Sequence, residues 1–213
     1  MENIKKILRI KKANEIVNIL NAKGYRAIHA ESIEAAKELI FKLIPTGASI
    51  GLGGSVTLNE LDIINSFRSE KYDLYDRYNQ PDWPQTLECM RQALLADFFV
   101  TSTNAITKNG ELIQTDSGGN RVASLVYGPK NVIVVAGVNK IVENLSEGLD
   151  RIKKYAAPLN SKRINHKTPC NISGNCENCM TKQRICNFTS VIKSGERMGD
   201  KITVIMISEE MGY

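Results

Sequence analysis

Apolar side chains recur three and four residues apart over residues 4–20, at Ile4, Ile7, Leu8, Ile16, Val17, Ile19 and Leu20, and Gly24 follows. That period marks one face of an α-helix, with glycine as its stop. Residues 25–30, "YRAIHA", predict a short strand. Ser32 is then placed to cap a helix through "IEAAKELIFKLI", which Pro45 ends. "ASIGLGGS" is an apolar run that breaks into glycine, and "VTLNELDIINSFRS" resumes helical spacing. "YDLYD" predicts a strand, "RYNQPDWP" a loop, and "QTLECMRQALLA" a helix feeding the strand "DFFVTS". "NGELIQT" predicts a turn and a strand. "NVIVVAGV" is the β-branched run of a strand buried on both faces. A helix over 142–157 and a last buried strand, "KITVIMIS", complete the pattern.

Strands alternating with helices predict an α/β chain: a three-layer domain with a mostly parallel sheet covered on both sides. One domain is expected over 1–213. Over 158–199 the apolar periodicity lapses and Cys, Asn, Lys and Gly take over, which predicts a small Cys-rich insertion near the C-terminus.

Composition narrows the class. Of 213 residues, 42% are hydrophobic and 24% charged, an ordinary globular balance. No apolar run reaches the roughly 18 residues that a membrane span needs. "MENIKKILRIKKANEIV" lacks the continuous apolar core of a signal peptide, so the cytoplasm is the expected compartment. The net charge of +5 is spread along the chain, and aromatics, at 6%, do not interleave with basic residues. Neither a nucleic-acid nor a membrane partner is expected.

Three polar stretches follow predicted strands, where open parallel sheets place ligands. In "GLGGSVTLNE", Gly53 and Gly54 let a ligand approach the backbone, and Ser55 and Thr57 offer hydroxyls at a helix start suited to an anion. A tight strand-to-helix turn with a hydroxyl cap leaves the same pattern. Glu60, one turn inside that helix, is a candidate general base or a structural cap. In "TSTNAITKNGELIQTDSGGNR", Asn104, Gly119 and Asn120 are candidate substrate contacts. Asp116 is a candidate acid or base there, and Arg121 an anion clamp. In "GVNKIV", Asn139 and Lys140 occupy another strand end, and Lys140 could neutralise an anionic substrate.

"GLGGSVTLNE", "TSTNAITKNGELIQTDSGGNRVA", "GPKNVIVVAGVNKIV" and the terminal "RICN…EEMGY" together resemble the LUD-domain family, the domain of bacterial lactate-utilisation proteins. The resemblance implies a fold similar to ribose-5-phosphate isomerase and CoA transferases. It places a ligand site at Gly53, Gly54, Ser55, Asn104, Asp116, Asn120 and Lys140, and implies a link to lactate or related organic acids, with other lactate-oxidation subunits as partners. The ferredoxin-like cysteine runs of the iron–sulfur member of that system do not occur here.

Four of the five cysteines fall within seventeen residues, as Cys170-x5-Cys176-x2-Cys179-x6-Cys186. In a reducing compartment such a cluster points to a metal rather than to disulfides. Four thiolates suit tetrahedral zinc or a [4Fe-4S] cluster, and the spacing does not choose between them. His166 could replace one thiolate, and Cys89 is expected as a buried small hydrophobe.

The expected function is binding of a small anionic metabolite (a hydroxy acid, sugar phosphate or CoA ester) at the strand-end loops, beside a four-cysteine metal site. Were the chain an enzyme, Glu60 or Asp116 would be its acid or base. The alternative is a non-catalytic sensing or assembly subunit with structural zinc, possible also as a homo-oligomer.

Overall fold

The structure, a computed structural model, describes residues 2–213, without the side chain of Met198. The chain runs α1 (Glu2–Ala22), β1 (Arg26–Ala30), α2 (Ile33–Leu43), β2 (Ser49–Leu52), α3 (Val56–Glu60), α4 (Ile63–Phe67), β3 (Asp73–Tyr75), α5 (Trp83–Gln92), β4 (Phe98–Thr101), β5 (Ala105–Thr107), β6 (Leu112–Asp116) and α6 (Asn120–Val126). It continues through β7 (Asn131–Gly137), β8 (Ile141–Val142), α7 (Leu145–Arg151), α8 (Ala157–Arg163), α9 (Pro169–Ser173), β9 (Phe188–Ile192) and β10 (Ile202–Ile207). A π-helical turn, Ile152–Ala156, joins α7 to α8.

Six strands form a wholly parallel sheet in the order β1-β10-β7-β4-β2-β3. Its central strands alternate between two cores, as the two-residue period of a strand requires. Val132, Val134 and Ala136 of β7, with Val204 and Met206 of β10, face the core that holds Ala13, Ile16 and Leu20 of α1. Ile133, Val135, Ile205 and Ile207 face the opposite core, with Ile40 of α2, Leu58 of α3 and Phe67 of α4. The apolar runs read as doubly buried strands are therefore buried on both faces. Ser32 caps α2 by accepting from Ala35 N at 3.2 Å.

Two expectations need revision. A second sheet, in the order β8-β5-β6-β9, is mixed: β6 pairs antiparallel with both β5 and β9. Its strands are two to five residues long, too short to leave a period in the sequence. The stretch 158–199 is also not one insertion. Its first residues extend a helix as α8, and β9 pairs with β6 over five residues, Leu112↔Ile192 to Asp116↔Phe188. Only the cysteine-bearing part between α8 and β9 is largely irregular, with α9 as a single short turn of helix.

Candidate functional site

The carboxyl ends of β2, β4 and β7 carry the three polar stretches, and they converge with the loop after β6 on one cavity of about 550 Å³. β2 runs into Gly53 and Gly54. A Cβ at Gly53 would stand 2.7 Å from Thr101 Cβ, so glycine is what lets the two strand ends approach. At Gly54 the same atom would meet only the Arg77 guanidinium, at 3.5 Å. Ser55 caps α3 by accepting from Leu58 N at 3.4 Å, and it lines the cavity along with Gly54 and Thr57.

The loop after β6 is built around Asp116. Its Oδ1 accepts from Arg121 Nε at 2.6 Å and from Gln114 Nε2 at 3.1 Å, while Oδ2 accepts from Val122 N at 2.9 Å. Its side chain is 2% exposed. Gly119 turns the chain into α6 at φ +82°, a conformation that suits glycine. Asn104 holds the other side of the loop through Oδ1, which accepts from Thr115 N at 2.8 Å and Gln114 Nε2 at 3.0 Å. Asn120 lines the cavity, and its Nδ2 is buried without a hydrogen-bond partner.

β7 ends in a 3-10 turn, Val138–Lys140, that drives the Lys140 side chain inward to 3% exposure. Nζ donates to Ser102 Oγ at 2.7 Å and to Thr57 Oγ1 at 2.8 Å. Among the described residues no carboxylate lies within ion-pair distance of it. Burial pushes the amine down from 10.5 to about 7, and the positive charges of Arg151 and Arg121 add to the effect against the opposing Glu60 carboxylate. Lys140, expected as a counter-charge, is thus a much weaker base than an ordinary lysine.

Glu60 and Asn139 stand apart from the cavity wall. Glu60 Oε2 accepts from Gly212 N at 2.6 Å. Asn139 Oδ1 accepts from Met211 N at 3.0 Å, and its Nδ2 donates to Gly212 O at 3.1 Å. Together they fix the strap after β10, so that Tyr213 lines the cavity and accepts from Arg163 Nε at 2.8 Å.

Two lining residues left no usable signal in the sequence. Arg77 falls in "RYNQPDWP", which reads as a plain loop, and Arg163 sits in a helix of otherwise solvated basic residues. Arg77, Arg91, Arg121, Lys140 and Arg163 all line the cavity, whereas Asp116 is the one carboxylate among its described lining residues. Arg121 already pairs with that carboxylate, and no described carboxylate pairs with Arg77. Burial and the nearby Arg121 charge both press the Arg77 guanidinium below its ordinary range. Trp83, Leu87, Met90 and Leu94 add apolar surface to the same cavity.

All five cysteines are free thiols. Cys186 reaches the cavity wall. Burial raises its thiol, Arg184 opposes the rise, and the nearby Cys176 and Cys179 add to it. Cys170 Sγ lies 3.2 Å from Thr168 Oγ1. Among the described residues no three His, Cys, Asp or Glu side chains converge as a metal shell. His166 Nδ1 instead lies 3.0 Å from the Gln183 carbonyl oxygen, tying down the cysteine segment. Cys89 is buried, as expected.

The family model of the LUD domain matches residues 13–207. The chain belongs to the LUD-domain family. Among solved structures, the LUD chain resembles the crystal structure of a DUF162 family protein from Deinococcus radiodurans. The TM-score is 0.53 at 14% identity, covering 93% of this chain and 97% of that one. No curated protein matches the sequence. At that identity the structural likeness speaks for the fold, and no described helix is long and apolar enough to cross a membrane.

Proposed function

We propose that this LUD protein binds a small organic anion in the strand-end cavity, with the anion held by Arg77 and Arg121. The observation that carries this reading is the imbalance at two lining guanidinium groups: Arg77 pairs with no described carboxylate, and Arg121 has taken the one carboxylate of the wall, Asp116. The Arg77 and Arg121 charges repel each other across a partly buried cleft, and a bound carboxylate or phosphate relieves that repulsion. The Asn120 Nδ2 donor gains an acceptor from the same ligand. The family's kinship with lactate-utilisation proteins favours a hydroxy acid or keto acid. The apolar lining from Trp83, Leu87, Met90 and Leu94 suits a carbon skeleton longer than lactate. Asp116 then serves as the positioning residue for Arg121, and Glu60 for the strap that carries Tyr213.

Melting-temperature measurements with lactate, oxalate and phosphate, against lactamide as a neutral analogue, test this reading. Stabilisation by an anion and not by the amide supports it. Equal stabilisation by both, or by neither, contradicts it.

A second reading concerns the cysteines. The segment Cys170–Cys186 exposes Ile172 and Met180 at 87% and 90%, so apolar burial does little to order it, and Cys186 has Cys176 and Cys179 near it. Four thiols are a donor set that zinc or an iron–sulfur cluster accepts, and metal binding would draw them together in place of a core.

A further inference from the structure

We infer that Lys140 is a nucleophile, and that the cavity takes an anionic aldehyde or ketone, with a 2-oxo acid as the simplest case, and joins its carbonyl carbon to Lys140 Nζ as an imine. The inference rests on the anion-binding reading above and names the substrate class for the same cavity.

The geometry of the amine carries it. Ser102 Oγ donates to the Thr103 carbonyl oxygen and Thr57 Oγ1 to the Met211 carbonyl oxygen, both at 3.4 Å. Each hydroxyl thus has a carbonyl within reach of its own proton, which leaves its oxygen open to accept from Nζ. A neutral amine has two N–H bonds. With both spent on Thr57 and Ser102, its lone pair takes the one remaining tetrahedral direction. Thr57, Ser102 and Lys140 all border the cavity, so the amine is set in the wall of the chamber that holds the guanidinium groups. A lysine serving only as a counter-charge would have a carboxylate beside it or a place in water, and Lys140 has neither: it is 3% exposed, and its direct partners are two hydroxyls.

The same surroundings supply the amine in its neutral form. With the amine drawn down to about 7 from the ordinary 10.5, far more of it is free base at neutral pH than in an exposed lysine. Burial and the charges of Arg151 and Arg121 favour that form, and Glu60 alone opposes it.

The step balances without an outside reagent. The Nζ lone pair bonds to the carbonyl carbon while the C=O π pair moves to oxygen, and a proton passes from nitrogen to that oxygen. The oxygen takes up a second proton and leaves as water as nitrogen, losing its last proton, closes the C=N bond. Amine plus carbonyl give imine plus one water, and nothing is oxidised or reduced. Arg77 and Arg121 hold the anionic end of the substrate and fix its carbonyl near Nζ.

Reductive trapping tests the inference. The full chain is incubated at pH 7 with glyoxylate and cyanoborohydride, whose hydride converts an imine to a stable secondary amine, and the labelled lysines are mapped by mass spectrometry. One carboxymethyl group on Lys140, at least about tenfold more abundant than on any other lysine and suppressed by excess oxalate, is the expected result. Glycolaldehyde, an uncharged aldehyde of the same size, is expected to show no such preference. Labelling spread over surface lysines, with Lys140 unmodified while oxalate still raises the melting temperature, overturns the imine and leaves the anion site standing. Equal labelling of Lys140 by both aldehydes without protection by oxalate overturns the anionic substrate class and with it the reading of the cavity.

Discussion

Asp116 and Arg121 form a buried ion pair, Oδ1 to Nε at 2.6 Å, with side-chain exposures of 2% and 16%. The carboxylate also takes the backbone N–H of Val122, so one side chain orients the guanidinium and anchors the start of α6. Removing one partner of such a pair leaves an uncompensated charge, at a cost of about 3–5 kcal/mol. Asp116→Ala is therefore expected to lower Tm by roughly 6–20 °C in a domain of this size, read by calorimetry. A Tm within a degree or two of wild type would show that the pair is not structural.

Lys140 gives the fold a distinctive pH dependence. Its folded-state value, about 7, lies below the ordinary 10.5, so the unfolded chain binds the proton more tightly between those limits. Stability carries the full cost below pH 7 and gains as pH rises toward 10.5. Lys140→Met removes this dependence: it should stabilise the protein at pH 6–7, with the advantage shrinking by pH 9–10. Parallel denaturant melts across that range check the sign, and an advantage that grows with pH would refute it.

Gly53 and Gly54 are neighbours with opposite tolerances. A Cβ at Gly53 meets the Thr101 side chain, while at Gly54 it meets only the Arg77 guanidinium. Gly53→Ala should cost about 1–3 kcal/mol through overpacking. Gly54→Ala should leave stability unchanged within about 0.5 kcal/mol and alter only the cavity. Equal losses in chemical denaturation would contradict this difference.

The cysteine segment gives a prediction read by metal content. Protein purified without oxygen should contain about one zinc or one four-iron cluster per chain, and Cys176→Ser with Cys179→Ser should abolish it. Chelation should expose the stretch between Cys170 and Cys186 to protease while the parallel sheet persists. Metal-free protein with the same protease pattern would dismiss the metal reading.

The parallel sheet was legible because Val132–Ala136 and Ile202–Ile207 are β-branched runs buried on both faces, which leave a continuous apolar signature. The strand ends were legible too: Gly54, Thr57, Asn104, Asp116 and Lys140 do meet around one cavity. The second sheet was not, because strands as short as Ile141–Val142 hold no period. Glu60, one turn inside a helix, and Asn139, at a strand end, stand near the predicted ligand stretches in sequence, yet their partners, Gly212 and Met211, lie more than seventy residues away. Arg77 was missed for the converse reason: nothing in a polar loop announces which guanidinium will be left without a carboxylate. The depressed Lys140 amine depends on burial and on Arg151 and Arg121, which only the folded chain brings near.

The most direct test of the account is a calorimetric titration with oxalate at low salt, comparing wild type with Arg77→Met. Arg77 pairs with no described carboxylate and lines the cavity, so its loss should spare the fold and strike the ligand. The account predicts saturable one-to-one binding in wild type, weakened at least about tenfold in the variant, as loss of a charge-assisted hydrogen bond implies. Equal affinity in the two proteins, or no binding to either, would contradict it.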